Sequence, residues 1–124
     1  MLPSAPSRPL PDDFVSKSRK LIRALRASLE AELEGAGELE VRRKADPAKE
    51  LVKDFINSYR GDAFVTGSPA YRSIQAALTE LGAFYQKRGP RAAVTRDVAE
   101  SVLAKLAEAE AELPDEVVKG LFGL

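Results

Sequence analysis

From Asp12 to Glu34 the apolar residues Phe14, Val15, Leu21, Ile22, Leu25, Leu29 and Leu33 recur every three or four positions, with Ser18 in phase. That period gathers them on one stripe of an α-helix but would scatter them over both faces of a strand. The same period returns three times. Asp46 to Arg60 carries Leu51, Val52, Phe55, Ile56 and Tyr59, and Ser68 to Arg88 carries Tyr71, Ile74, Ala77, Leu78, Leu81, Phe84 and Tyr85. Thr95 to Leu113 adds Val98, Val102, Leu106, Ala109 and Leu113 at alternating steps of four and three. No run alternates as a half-buried strand does, and no internal repeat is visible. The chain is expected to be all-α.

The punctuation agrees. Asp12 and Asp13 suit the positive end of a first helix, and Gly35 and Gly37 end it by allowing positive φ. Asp46 reads as a cap with Pro47 in the first helical position, and Leu39 and Val41 suggest an earlier turn. Ser68-Pro69 opens a third helix, Gly89-Pro90 stops it, Thr95 starts a fourth and Pro114 closes it. Four amphipathic segments with short connections give an up-down-up-down antiparallel four-helix bundle over residues 12–113, with breaks near 35–46, 61–68 and 89–95. The expected core includes Leu21, Leu25, Phe55, Ile74, Leu78, Leu81, Val102 and Leu106. Gly82, inside the third helix, predicts a close helix approach there. Arg19, Arg23 and Arg26 share a stripe that this order places beside Glu108, Glu110 and Glu112 of the fourth helix.

Two segments fall outside the bundle. Residues 1–11 hold Pro3, Pro6, Pro9 and Pro11 and read as a flexible Pro-rich tail. Residues 114–124 carry Val117, Val118, Leu121, Phe122 and Leu124 and read as an apolar C-terminal extension.

A chain of 124 residues is enough for one core. It has no Cys and no His, which removes thiol nucleophiles, disulfides, zinc and haem ligation and the histidine general base. There is no Walker loop and no dinucleotide glycine fingerprint. Paired carboxylates such as Asp12-Asp13 and Asp115-Glu116 are explained by helix starts. No catalytic residue, metal site or cofactor is expected, and no window is apolar enough to span a membrane. With 19 Lys and Arg against 19 Asp and Glu the net charge is zero, so partners must be sought in local patches. Arg42, Arg43, Lys44, Lys87, Arg88, Arg91 and Arg96 should collect at one end of the bundle. Glu34, Glu38, Glu40, Asp46 and Asp97 are interleaved with them and would repel phosphate, so an acidic protein loop fits better than nucleic acid. A purely solvated loop region fits as well.

The stretch from Asp54 to Gly89 is the most distinctive. Phe55, Tyr59-Arg60, Asp62, Val65, Gly67, Tyr71, Ala77-Leu78, Leu81 and Tyr85 form an ordered series that resembles the photosystem II assembly and repair factors known as Psb twenty-seven. The resemblance covers roughly Asp12 to Leu113. It implies a small four-helix bundle that is not an enzyme, acts in the chloroplast thylakoid lumen, and is a monomer when free. It further implies binding to photosystem II intermediates before the manganese cluster and extrinsic subunits are in place, at a lumenal loop of an inner-antenna chlorophyll-binding subunit. Bacterial members resemble lipoproteins anchored through an N-terminal Cys; this chain has none, and a soluble plastid-type member fits better. The Pro47 interruption and the apolar C-terminal extension depart from the family pattern.

Six residues emerge as partner-binding candidates: Tyr59, Arg60, Tyr85, Arg88, Arg91 and Arg96. Tyr59 fits both a core position and a contact, and Arg60 fits both a helix C-cap and a contact. Tyr85 is placed to reach the surface. The three arginines at 88, 91 and 96 offer guanidinium forks to carboxylates. The competing reading is a generic helical adaptor that binds a partner helix through the apolar extension.

Overall fold

The computed structural model describes residues 10–114, so the proline-rich segment up to residue 9 and the apolar extension after Pro114 lie outside the described residues. Five helices follow one another: α1 (Asp12–Leu33), α2 (Glu38–Tyr59), α3 (Ala63–Thr66), α4 (Pro69–Arg88) and α5 (Arg96–Ala111). There is no strand among the described residues. Four of the five helices are long enough to carry a core-facing stripe.

α1 begins where the apolar period begins, with Asp12 and Asp13 in its first turn and the Pro11 carbonyl accepting the Val15 N–H at 3.1 Å. Leu10 packs partly buried against the core. Gly35 adopts φ +82° beyond the end of α1, the left-handed conformation expected of it, whereas Gly37 caps α2 at φ −65° and needs no positive φ. Ser68 and Thr95 cap α4 and α5 by accepting the N–H groups of Tyr71 and Val98 at 3.3 and 3.4 Å. Gly89 at φ +104° ends α4.

Three expectations are corrected. The break placed at 35–46 is only the short turn before Glu38, because α2 runs unbroken through Pro47 to Tyr59. Pro47 is therefore an interior helical proline and Asp46 is not a cap. The local signal was genuine, but the turns on either side continue the helix, and Pro47 lies on the exposed side. Leu78 is partly buried at the edge of the core, not inside it. Gly82 has open space where a Cβ would sit, with nothing within 4 Å, so none of the described helices approaches it closely. The 61–68 connection also contains the single turn α3, capped by Asp62 through the Val65 N–H at 3.2 Å.

α2 packs along α1, α5 along α4, and α1 joins the two pairs by packing on α5. The cross-links give the directions. Asp13 meets Tyr59 and Lys17 meets Asp54, so α1 and α2 run antiparallel. Arg26 donates to Glu110 at 2.7 Å while Glu32 meets Val94, so α1 and α5 are antiparallel as well. Ser73 donates to Glu112 at 2.9 Å, and Ser101 and Lys105 both donate to Glu80, at 2.7 and 2.8 Å, which sets α4 against α5. The expected match between the arginine stripe and the glutamates of the last helix is thus present as the Arg26–Glu110 pair. Phe14, Leu21, Ile22, Phe55, Ile74, Val102 and Leu106 are almost wholly removed from water.

Candidate protein interface

The six candidate residues fall at opposite ends of the domain. Tyr59 lies beside Asp13 near the start of α1, and Tyr85 feels the charge of Glu32 near its end. Nineteen residues of helix separate those two levels, about 28 Å. One partner surface does not include them all unless it spans the length of the domain.

At the lower end, Phe14, Phe55, Tyr59 and Tyr71 make one aromatic cluster. Phe55 stacks on Tyr71 with ring centroids 5.2 Å apart, and Tyr59 meets Phe14 edge-on at 5.2 Å. Tyr59 is 6% exposed, and its hydroxyl donates to Asp13 Oδ2 at 2.5 Å. Burial first, then the carboxylate beside it, pushes its phenol well above the usual range. The distinctive aromatics at 55, 59 and 71 are therefore joined through the core. Arg60, exposed at the end of α2, donates to Asn57 Oδ1 at 3.3 Å.

At the upper end, the 89–95 connection folds back on α1. The Val94 N–H donates to Glu32 Oε2 at 2.9 Å, and Val94 itself is buried. Tyr85 is half-buried below this connection, its phenol raised by burial and then by the Glu32 charge. Arg91 sits on the same side as Tyr85, whereas Lys87 and Arg88 face a shallow depression between α4 and α5. Arg96 pairs with Glu100 one turn along α5 at 3.3 Å. Of the arginines at 88, 91 and 96, only the first two make no hydrogen bond or ion pair among the described residues.

Sequence reasoning missed an open groove on the side of the domain. Above the Phe55–Tyr71 stack α2 and α4 do not close on each other, and between them lies this groove of about 1170 Å³. Its floor is Leu25 and Leu29 of α1, and Tyr85 and Arg91 stand at its upper end. The signal was the exposed apolar positions of α2: Ile56 is at the rim, and Leu39, 63% exposed, lies beside Glu38 at the upper mouth. Among the described residues no group of acidic side chains could hold a metal ion, and no helix is long and apolar enough to cross a membrane.

Fold and surface together define a small all-helical domain with an open groove on one side. Comparison with known proteins makes the class specific. The family model described as Photosystem II Pbs27 matches residues 4–113, and the chain belongs to that family. It is 31% identical over 101 residues to the chloroplastic photosystem II D1 precursor processing protein PSB27-H2 of Arabidopsis thaliana. That alignment covers 82% of this chain and 50% of the relative, so the chain spans about half the relative's length. No solved structure matches.

Proposed function

We propose that this domain is a non-catalytic assembly factor that binds photosystem II intermediates carrying the D1 precursor and assists their maturation. The observation that carries the reading is the family match along residues 4–113, joined by the 31% identity to a protein named for D1 precursor processing. The site of action is the thylakoid lumen, before the manganese cluster and the extrinsic subunits are in place. The contact is a lumenal loop of an inner-antenna chlorophyll-binding subunit, engaged by the upper end of the domain through Tyr85, Arg88, Arg91 and Arg96. Arg88 and Arg91, whose guanidinium groups make no ion pair among the described residues, support a contact with an acidic loop. Tyr59 is held inside the aromatic cluster, and Arg60 remains as an exposed residue of the opposite end. The fold that goes with this reading is α1, α2, α4 and α5 in up-down-up-down order, which the three antiparallel pairings support. The domain acts as a monomer until it meets its partner.

Pulse-labelling of D1 in cells lacking this protein tests the role. Slow conversion of the D1 precursor to its mature length, restored by the wild-type gene, is the expected result. Normal conversion would overturn it.

A further inference from the structure

One face of α4 ends in cations. Glu80, then Ala83 and Phe84, then Lys87 and Arg88 follow at steps of three and four, so they stack along one side of the helix. α5 meets that side with Thr95 and Val98, and the two helices leave a shallow depression of about 290 Å³ between them. Its apolar lining is graded: Phe84 is buried, Val98 half-buried and Ala83 open to solvent. The space is at the lower limit of a ligand pocket, with room for about one or two side chains.

The charges here do not cancel. Among the lining residues the carboxylate is Glu80, and it already accepts the Ser101 hydroxyl at 2.7 Å and the Lys105 ammonium at 2.8 Å. Lys105 neutralises it. Lys87 and Arg88 are exposed and make no hydrogen bond or ion pair among the described residues. On the first turn of α5, Arg96 and Glu100 satisfy each other at 3.3 Å. Asp97 is the anion left nearby; it precedes Val98 by one residue, about 100° round the helix, and does not line the depression. Two cations therefore face one unpaired carboxylate, and that carboxylate is off to one side. The rim of the larger groove differs, since Arg42, Lys49 and Lys53 there each stand beside an acid of their own helix.

We infer that this depression seats one acidic residue of a partner protein together with the apolar residue next to it. The carboxylate lies between Lys87 and Arg88, and the apolar side chain covers Phe84, Ala83 and Val98. A guanidinium fork holds a carboxylate in fixed geometry, and the ammonium adds a point charge. A bare phosphate would leave the apolar lining uncovered, and Glu80 and Asp97 would repel a polyanion, so a protein acid fits where nucleic acid does not. The inference rests on the reading of the domain as a protein-binding factor and deepens it. Lys87, which is not one of the six candidates, becomes a contact residue, and the anchor lies on the α5 side of α4, away from Tyr85 and Arg91.

Amide chemical shifts of the isotope-labelled full chain read the site directly. The probe is the blocked dipeptide acetyl-Phe-Glu-amide, compared with acetyl-Phe-Gln-amide, acetyl-Gly-Glu-amide and inorganic phosphate. Saturable shifts centred on Phe84, Lys87, Arg88 and Val98 are expected with the Phe-Glu probe. Binding should be about tenfold weaker for each comparison ligand, and about tenfold weaker in Lys87→Gln with Arg88→Gln at unchanged helix content. No saturable shift, shifts spread equally over Lys44, Lys53 and Arg91, equal affinity for the Phe-Gln probe or phosphate, or affinity unmoved by the double variant would overturn the inference. Retention on photosystem II particles stripped of their extrinsic subunits separates it from the assembly reading. Arg88→Gln should cut retention more than Arg91→Gln; the reverse order would overturn the inference and leave the assembly role standing. Dipeptide binding at the depression by a wild-type chain that the particles do not retain would support the site and overturn the assembly role alone.

Discussion

Glu32, in the last turn of α1, accepts the backbone N–H of Val94 at 2.9 Å across 62 residues of sequence. The bond ties the connection between α4 and α5 to the first helix, alongside the packing of Val94 and Ala92 on the core. The charge of the same carboxylate, second to burial, raises the Tyr85 phenol.

Glu32→Ala should therefore cost about 1–3 kcal/mol, because it strips a partly buried amide of its partner. Amide hydrogen exchange at Val94 is the direct readout. Protection there should fall well before protection in α1 or α5.

Tyr85 should titrate above the ordinary tyrosine value of 10.0, and Glu32→Gln should bring it part of the way back, since burial remains when the charge is gone. The pH dependence of stability follows. Tyr59 and Tyr85 hold their protons more tightly when folded, so their contribution is complete below pH 10 and is lost as pH rises above it. Glu80 and Glu110 are held below their ordinary 4.5 by Lys105 and Arg26, so theirs is present above that pH and fades as pH falls through the lowered folded values. Both glutamates are partly exposed, and each should be worth less than about 1 kcal/mol. Urea unfolding followed from pH 3 to 11 should show both limbs, with the plateau between them.

Phe55→Ala should destabilise by about 3–5 kcal/mol, because it empties the centre of the aromatic cluster. Leu78→Ala should cost closer to about 1 kcal/mol, since that side chain already faces the groove in part. Denaturant midpoints with unchanged m-values compare the two.

Pro47→Ala should stabilise the domain by about 2 kcal/mol. It restores a donor inside α2 and removes a ring clash, an effect of about 3 kcal/mol less the entropy that proline removes from the unfolded chain. Thermal melting would show the rise directly.

What could be read from the sequence is the part that periodicity governs. The stripes of α1, α4 and α5 are long and uninterrupted, and Ser68, Thr95 and Gly89 mark their ends by local chemistry alone. Asp46-Pro47 misled because a cap signal is local, whereas continuation of a helix depends on both flanking turns. α3 is a single turn and carries no period to detect. The groove was illegible for a different reason: it exists because α2 and α4 diverge above the Phe55–Tyr71 stack, and their spacing there is set by how each rests on other helices. Arg88 and Arg91 are close in sequence and should share a patch on that ground, yet they face different sides of α4.

Charge reversal of the upper end, Arg88→Glu with Arg91→Glu and Arg96→Glu, should leave helix content and melting nearly unchanged, because exposed charges add little to folding. It should weaken association with photosystem II particles and flatten its salt dependence. Unaltered association would move the contact to another surface, with Arg60 at the lower end as the first residue to vary.

The most direct measurement is retention of the tagged domain on isolated photosystem II particles, compared between particles stripped of their extrinsic subunits and intact ones. The assembly role predicts capture by the stripped particles and little by the intact ones. Equal capture by both, or by neither, would contradict it.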